Sequence, residues 1–551
     1  MTARRLRRAL VACAAVLALA GCVSVPTSGP VAPGDGTVVD AGSIDVLAEG
    51  PRPGATPEQV VEGFMLAGGA GFLGEFATAR EYLTGPVRQD WQPRAGVIVY
   101  SPSVEPEVSQ DGRVVTLQVP VVARVDAEGR YVEAPAAAQE SVTFELEQDG
   151  GEWRISSAPQ GLVLDQSVFD QQFRATPLYF VSADGDFLVP ETRWFPARNL
   201  QTSVSRALIA GPSPWLRDAV TTAFPEGVTL TAQTVVLDDQ GVAQVNLEPA
   251  SAVLAADLPE LLAQLDQSLL AVPGVRSVKV QTEGVLVDGP ATLERGGLPD
   301  GPVEMLQGDR LMTFDVDALT QVEGVDALPA GSRDPARDEA GDVRVVIDGA
   351  GDLVTVPASG EAPVALLQGG TLVAPSVDRF GWVWTSRGTG GLIAASTQGD
   401  PVAVAADWLD GRTVVSVRMA RDGTRLAVVS RGTDGFSVDV CAVVRDASGT
   451  PQRTGEPIRA GAVLTEAGEV VWLDESMLGV IGRSTGATAV HRVPVSGPTT
   501  ALAEVPDLVS LAGGKVVYAA SGDGVLHKLV GNATWVAVSG VEDVRDPAYP
   551  G

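Results

Sequence analysis

The sequence predicts a multidomain protein: two α+β units in series, then an all-β unit of propeller type. Three observations predict it. The chain has 551 residues, too many for one hydrophobic core. Between residues 51 and 290, apolar residues twice switch from helical spacing to strand-like alternation. Beyond residue 305, short apolar runs return about every 45 residues between Gly- and Asp-rich turns.

The N-terminus carries Arg4, Arg5, Arg7 and Arg8, then an uncharged apolar stretch from Ala9 to Ala20. A stable span needs about 20 apolar residues, so this stretch is too short. Its layout is that of a signal peptide over residues 1–21. The run Leu19-Ala20-Gly21-Cys22 resembles the bacterial lipobox. The resemblance implies cleavage before Cys22 and lipidation of its thiol by palmitate-type chains. Each buried CH2 adds about 0.8 kcal/mol, so two chains hold a protein firmly. The expected place is the extracytoplasmic face of the cell membrane, with the outer leaflet as a partner through the anchor. Residues 22–50 are rich in Pro, Gly and Ser and read as a flexible tether.

Composition excludes several function classes. The net charge is −30, and loss of the four signal arginines takes it to −34. Such a surface repels nucleic acid. His491 and His527 are the only histidines and stand 36 residues apart, which argues against a His-based triad or a multi-histidine metal site. No phosphate-binding or dinucleotide fingerprint occurs, so no cofactor and no metal are expected. Cys13 leaves with the signal and Cys22 carries lipid. Cys441 then stands alone, reads as a small buried strand residue, and leaves no internal disulfide.

The first unit, residues 51–165, opens on Thr56-Pro57-Glu58, a helix start with Thr as N-cap. Val60, Val61, Phe64, Met65, Phe72, Phe76, Tyr82 and Leu83 continue at helical spacing. From Val97 the pattern becomes strand-like, with Asp111-Gly112, Glu128-Gly129 and Asp149-Gly150-Gly151 as turns. Helices followed by a curved antiparallel sheet look like a cystatin-like or nuclear-transport-factor-like (NTF2-like) cone.

The second unit, residues 170–290, has strands at Leu178–Val181 and Phe187–Arg193 and a helix from Leu200 to Ala210 ended by Gly211-Pro212. Strands at Thr234–Leu237 and Ala243–Leu247, a helix from Leu258 to Leu270, and a strand at Ser277–Gln281 follow. The ordered fragments Tyr179-Phe180-Val181, Leu188-Val189-Pro190-Glu191-Thr192-Arg193, Phe224-Pro225-Glu226-Gly227-Val228 and Val272-Pro273-Gly274-Val275 resemble the GerMN domain of spore-germination lipoproteins. That resemblance implies an extracytoplasmic scaffold or interaction module.

The third unit, residues 305–551, is expected to fold by itself as five to six blades, with Trp382, Leu426, Val471 and Val517 marking the period. The run Asp422-Gly423-Thr424-Arg425-Leu426-Ala427 resembles the blade motif of lactonase-like propellers.

Lipobox, cone, GerMN and propeller in that order resemble the actinobacterial lipoprotein LpqB family. The resemblance implies a non-enzymatic regulator acting on the extracytoplasmic domain of a sensor histidine kinase (MtrB-like) in a two-component system of cell-wall and division control. Two other readings stay open: a peptidoglycan- or ligand-binding envelope lipoprotein, and a propeller hydrolase with Asp378, Asp407, Asp410 or Asp422 as the acid. Partner-binding candidates are Arg193, Trp194, Arg198, Trp215 and Arg217, in segments that follow loop-forming residues. Burial in the core is the alternative for both tryptophans, and an exposed pair with Glu191 is the alternative for Arg193.

Overall fold

The computed structural model describes residues 48–551 apart from Thr292 and Gly390. The signal peptide, Cys22 and residues 22–47 of the tether lie outside the described residues. No helix among the described residues is long and apolar enough to cross a membrane.

The first helix runs from Pro57 to Gly69, with a capping box between Thr56 and Gln59 and Val60, Val61 and Phe64 turned inward. The helical spacing read through Leu83 is three pieces. The helix stops at Gly68-Gly69, a short turn covers Gly71–Leu73, and Phe76 enters the next helix, Ala77–Glu81, in left-handed backbone. The break seats the Phe76 ring edge-on to Phe72 and Trp91. Behind the helices lies a sheet in the order 152–157, 139–149, 114–126, 96–100, 162–165. Its long strand Val114–Asp126 alternates as a half-buried strand should, with Val115, Leu117, Val119, Ala123 and Val125 in the core.

No linker separates the first unit from the second. Strand Leu162–Asp165 passes into helix Gln166–Gln172, where the Asp165 carboxylate caps Ser167 N–H at 2.9 Å, and directly into strand Phe173–Ser182. That strand pairs with Phe187–Pro196 from Phe173↔Pro196 to Val181↔Leu188. A second sheet centres on Val242–Glu248, which runs parallel to Ser277–Thr282. Helices Leu200–Ala210 and Leu258–Leu270 bury Val204, Leu208, Leu261, Leu265 and Leu269. The strand expected at Thr234–Leu237 shrinks to Val236–Leu237. Val235 instead ties its backbone to the first of these helices, N–H to Thr202 Oγ1 at 3.0 Å and carbonyl to Gln201 Nε2 at 3.1 Å.

The third unit is a propeller of six four-stranded blades, one of which carries an extra strand. Blade 1 closes the ring: its innermost strand, Val544–Ala548, comes from the chain's end and pairs with Val303–Gln307. The inner strands of blades 2 to 6 are Arg333–Arg337, Ser376–Val377, Thr413–Met419, Glu466–Trp472 and Leu508–Ala512. Residue 305 therefore falls inside the first propeller strand. Trp382, Leu426 and Val517 sit in or beside the second strands of their blades, but Val471 lies in an inner strand. Blade 4 is longer than the others, with an eleven-residue strand Gly435–Arg445 and the extra strand Ile458–Ala460, and this shifts the phase.

Aspartates at the hairpin corners account for part of the acidity. Asp126, Asp238, Asp348, Asp378, Asp422 and Asp446 each accept two backbone N–H groups from the turn that follows.

Candidate functional site

The five partner-binding candidates separate into three environments. Arg193 is 3% exposed and is no surface group. Its guanidinium makes a two-pronged pair with Glu191 at 2.9 and 3.1 Å and reaches the Gly211 carbonyl at 2.9 Å. Glu191 also accepts Ser213 N–H at 3.0 Å and the Ser213 hydroxyl. The pair pins the strand Phe187–Pro196 to the Gly211–Ser213 end of the neighbouring helix, a stabilising function. Trp215 is also corrected to the interior: it is 6% exposed and part of the core shared by the second unit and blades 4 and 5. Alternation along the strand placed Arg193 inward, and the short turn after Gly211-Pro212 folded Trp215 back under the helix.

Trp194 is half-buried, but its partners lie within the chain. Its ring stacks on Tyr131 of the first unit at 5.1 Å and, at the same distance, against Phe169 of the helix that joins the first unit to the second. Its indole N–H donates to the Ser496 carbonyl of blade 5 at 2.8 Å, and its backbone N–H donates to the Gly129 carbonyl at 2.7 Å. One side chain thus touches all three units. Arg198 and Arg217 remain exposed, on the loops before and after the Leu200–Ala210 helix, so they stand at opposite ends of that helix.

More contacts hold the units together. Glu133 of the first unit takes the Thr499 N–H at 2.7 Å and hydroxyl at 2.8 Å. Between the second unit and the propeller, Arg379 pairs with Asp184 while lying over Phe187, and Tyr179 donates to Glu475, which Arg295 also holds. Arg425 lies over Trp472 at 4.9 Å and donates to the Pro190 carbonyl at 3.3 Å. Sequence reasoning missed these, because the hydrogen-bonded partners lie 180 to 366 residues apart.

The four propeller aspartates do not converge. Asp378, 2% exposed, accepts the Phe380 and Trp382 N–H groups, the Trp384 indole N–H at 2.7 Å and Arg445 at 2.5 Å. Asp422, also 2% exposed, is consumed by Thr424, Arg425 and the turn backbone. Asp407 and Asp410 are exposed on a surface turn. Cys441 is fully buried in a strand, and burial pushes its thiol far above the usual range. Among the described residues no group of three His, Cys, Asp or Glu is arranged to hold a metal ion.

Glu469, in the inner strand of blade 5, is an ionisable group that matters for stability. Burial, with Asp334 and Asp546 nearby, pushes Glu469 up to about 8 against the pull of Arg418 and the Leu511 N–H. A carboxyl raised in the folded state binds more protons than the unfolded chain does between its ordinary value near 4.5 and about 8. Its contribution to stability is therefore full below about 4.5 and is lost as pH rises through that window. Glu469→Gln removes this component. Urea midpoints of the variant and the parent should move apart steadily from pH 5 to pH 8, in the variant's favour. A constant gap would show that Glu469 is ionised throughout.

Three family models match in chain order: "Lipoprotein LpqB, N-terminal domain" over residues 50–170, "Sporulation and spore germination" over 177–288, and "Lipoprotein LpqB beta-propeller domain" over 309–550. Relatives described as Lipoprotein LpqB run the length of the chain. One from Streptomyces avermitilis is 28% identical and covers 98% of each chain. One from Thermobifida fusca is 28% identical over 88% of this chain and 89% of its own. One from Cutibacterium acnes is 35% identical over 53% of this chain and 49% of its own. Among solved structures, the tandem GerMN domains of GerM from Bacillus subtilis align with 22% of this chain and 47% of that one at 19% identity and a TM-score of 0.19, too low to bear on function. The order of the three units, two of them matched by LpqB-specific models, places the chain in the LpqB family of membrane-anchored envelope lipoproteins.

Proposed function

We propose that the protein acts without catalysis, as a rigid extracytoplasmic scaffold that modulates a sensor histidine kinase of the MtrB type. It is held to the outer leaflet of the cytoplasmic membrane by lipid on Cys22, and the two-component system it serves controls the cell wall and division. The first unit we read as a cystatin-like or NTF2-like cone that serves as the membrane-side base.

The observation that carries this reading is the Trp194 junction. A side chain that stacks on one unit, belongs to a second and hydrogen-bonds a third fixes all three as one body. Such a body presents one fixed surface to a partner. The commitment of Asp378 and Asp422 to turn backbone and arginines supports binding over catalysis. The edge strand Val285–Val287 of GerMN supports a protein partner, since it ends its sheet and leaves Val285 and Leu286 62% and 51% exposed. Arg198 and Arg217 supply exposed cations on the same unit.

In a deletion strain, Cys22→Ala should leave the protein in the soluble fraction after a high-salt wash and fail to complement. Arg198→Ala with Arg217→Ala should stay in the membrane, fold, and lose function. Interface anchors of this kind commonly cost more than about 1 kcal/mol each. Full complementation by the double arginine variant would remove the GerMN contact from the proposal, and retention of Cys22→Ala in the membrane would remove the anchor.

A further inference from the structure

The first two units meet at a backbone contact and leave a cleft beside it. At the contact the Trp194 N–H donates to the Gly129 carbonyl at 2.7 Å. Gly129, at φ 85°, has no room for a side chain, since a Cβ there would stand 2.6 Å from the Trp194 carbonyl oxygen. The cleft holds about 370 Å³. One wall is the first unit, with the loop around Arg94 and the turn Asp126–Gly129. The other wall is the helix Leu200–Ala210. Space of this size between two domains is where small ligands commonly bind.

The helix turns Ser203, Arg206, Ala207 and Ala210 to the cleft, the i, i+3, i+4 and i+7 positions of one face. Three of these four side chains are small, which keeps the space open. The rest of the lining is largely apolar. Phe72, Trp194 and Pro196 are partly exposed there, and Phe173 and Phe195 are buried.

The charged groups of the lining differ in how far they are committed. Asp126 and Glu128 are both held by Arg130, at 2.5 and 3.1 Å, and Asp126 also accepts the N–H groups of Glu128 and Arg130. Neither carboxylate is free. Arg193 is matched by the buried Glu191. Two cations remain, one from each wall. Arg206 is exposed, donates to the backbone and side-chain carbonyls of Gln233, and forms no ion pair among the described residues. Most of its five N–H donors are therefore unused. Arg94 lies over the Phe76 ring at 5.5 Å. Its carboxylate partner, Glu75, stands at 3.0 Å with its side chain 77% exposed. Water screens such a pair, so an anion in the cleft competes with it. In a chain of net charge −30, an apolar cleft with an available arginine on each wall favours an anion with an apolar body.

We propose that this cleft binds a small organic acid with a single apolar chain, its carboxylate held by Arg206 and Arg94 and its chain against Phe72 and Trp194. A carboxylate only accepts hydrogen bonds, and a guanidinium only donates them, in a fork that matches the two oxygens. Bonds between two ionised groups are the strong kind. Each methylene buried against the aromatic lining adds to the affinity. The cleft has room for one chain of about ten carbons. A ligand here touches two units at once. The site goes beyond the kinase-scaffold reading, and its failure would leave that reading where it is.

The test uses the anchor-free mature chain in about 0.15 M NaCl, with three probes of one chain length: decanoate, decanol and decylammonium. Ligand-observed NMR should show one saturable site for decanoate, with decanol and decylammonium weaker by roughly tenfold. Arg206→Gln should weaken decanoate by roughly fivefold and leave decanol unchanged, a split that a purely structural side chain does not give. Ala210→Trp should abolish decanoate binding at the parent's melting temperature, because Ala210 is exposed at the end of its helix and the ring would fill the cleft. Arg310→Gln, on the exposed surface of blade 1, should change nothing. Dihexanoyl-phosphatidylglycerol below its micelle concentration, which offers an anionic head and apolar chains from a membrane lipid, should not displace decanoate. Displacement would overturn the free acid as the ligand. Absence of a saturable decanoate site, equal binding of decanol or decylammonium, or full decanoate binding by folded Arg206→Gln or Ala210→Trp would each overturn the cleft.

Discussion

Removal of residues Val544–Gly551 is expected to unfold the whole propeller, not merely to fray its end. This segment is the innermost strand of blade 1, antiparallel to Val303–Gln307 from Glu304↔Ala548 to Gln307↔Val544. Without it Val303, Met305 and Val541 lose a wall of their core cluster, to which Val544 and Tyr549 belong. Neighbouring blades then meet across an open gap with unpaired strand edges. Burial of a large apolar side chain contributes about 1.5–3 kcal/mol, and the cut removes Val544 and Tyr549 and uncovers Val303 and Met305, against a total stability of about 5–15 kcal/mol. Near-ultraviolet circular dichroism should lose the signal of the propeller tryptophans, and limited proteolysis should digest the chain beyond residue 303. Adding the eight-residue segment as a separate peptide should restore part of the signal. A truncated chain with native dichroism and the parent's melting temperature would mean that the ring is closed by other contacts.

Arg193→Leu is expected to cost about 3–5 kcal/mol, the range for stranding one member of a buried ion pair. The side chains of Arg193 and Glu191 are 4% and 3% exposed, so water does not screen them. The variant leaves the Glu191 carboxylate with only the Ser213 N–H and hydroxyl. It also strips the Gly211 carbonyl of its 2.9 Å donor. The double change Arg193→Leu with Glu191→Leu removes both charges and should recover most of the loss, since apolar replacements of buried pairs are often neutral. Urea unfolding of the two single variants and the double variant gives the coupling energy. Additive losses with no recovery would show that the two side chains act independently.

Much of the fold was legible because its signals are local. The helices Leu200–Ala210 and Leu258–Leu270 follow from their apolar stripes, and the Asp-Gly corners from turn chemistry. The blade count was bounded at five to six because blades share a length, and the phase slipped at Val471 because blade 4 breaks that rule. The candidate site was legible only in part. Arg193 and Glu191 sit two apart in a strand, so both point the same way, but local pattern did not show that this face is inward. Trp194 points the other way, and the sequence leaves it open between a contact for a foreign protein and a place in the core. Its true partners, Tyr131, Phe169 and Ser496, lie 63, 25 and 302 residues away and come together only through the domain packing. Arg-Asp-Pro-Ala occurs twice in the sequence, at 333 and at 545, but ring closure is what brings Asp334 N–H onto Asp546 Oδ2 at 3.2 Å.

The most direct test of the scaffold is crosslinking in intact membranes of cells that carry the anchored protein, followed by purification through a tag on the propeller. A photo-reactive residue in place of Leu286 on the GerMN edge strand should capture the extracytoplasmic domain of the sensor kinase, and Cys22→Ala should lose that capture. Crosslinks confined to peptidoglycan fragments, with no kinase recovered from wild-type membranes, would contradict the scaffold reading and favour an envelope-binding lipoprotein.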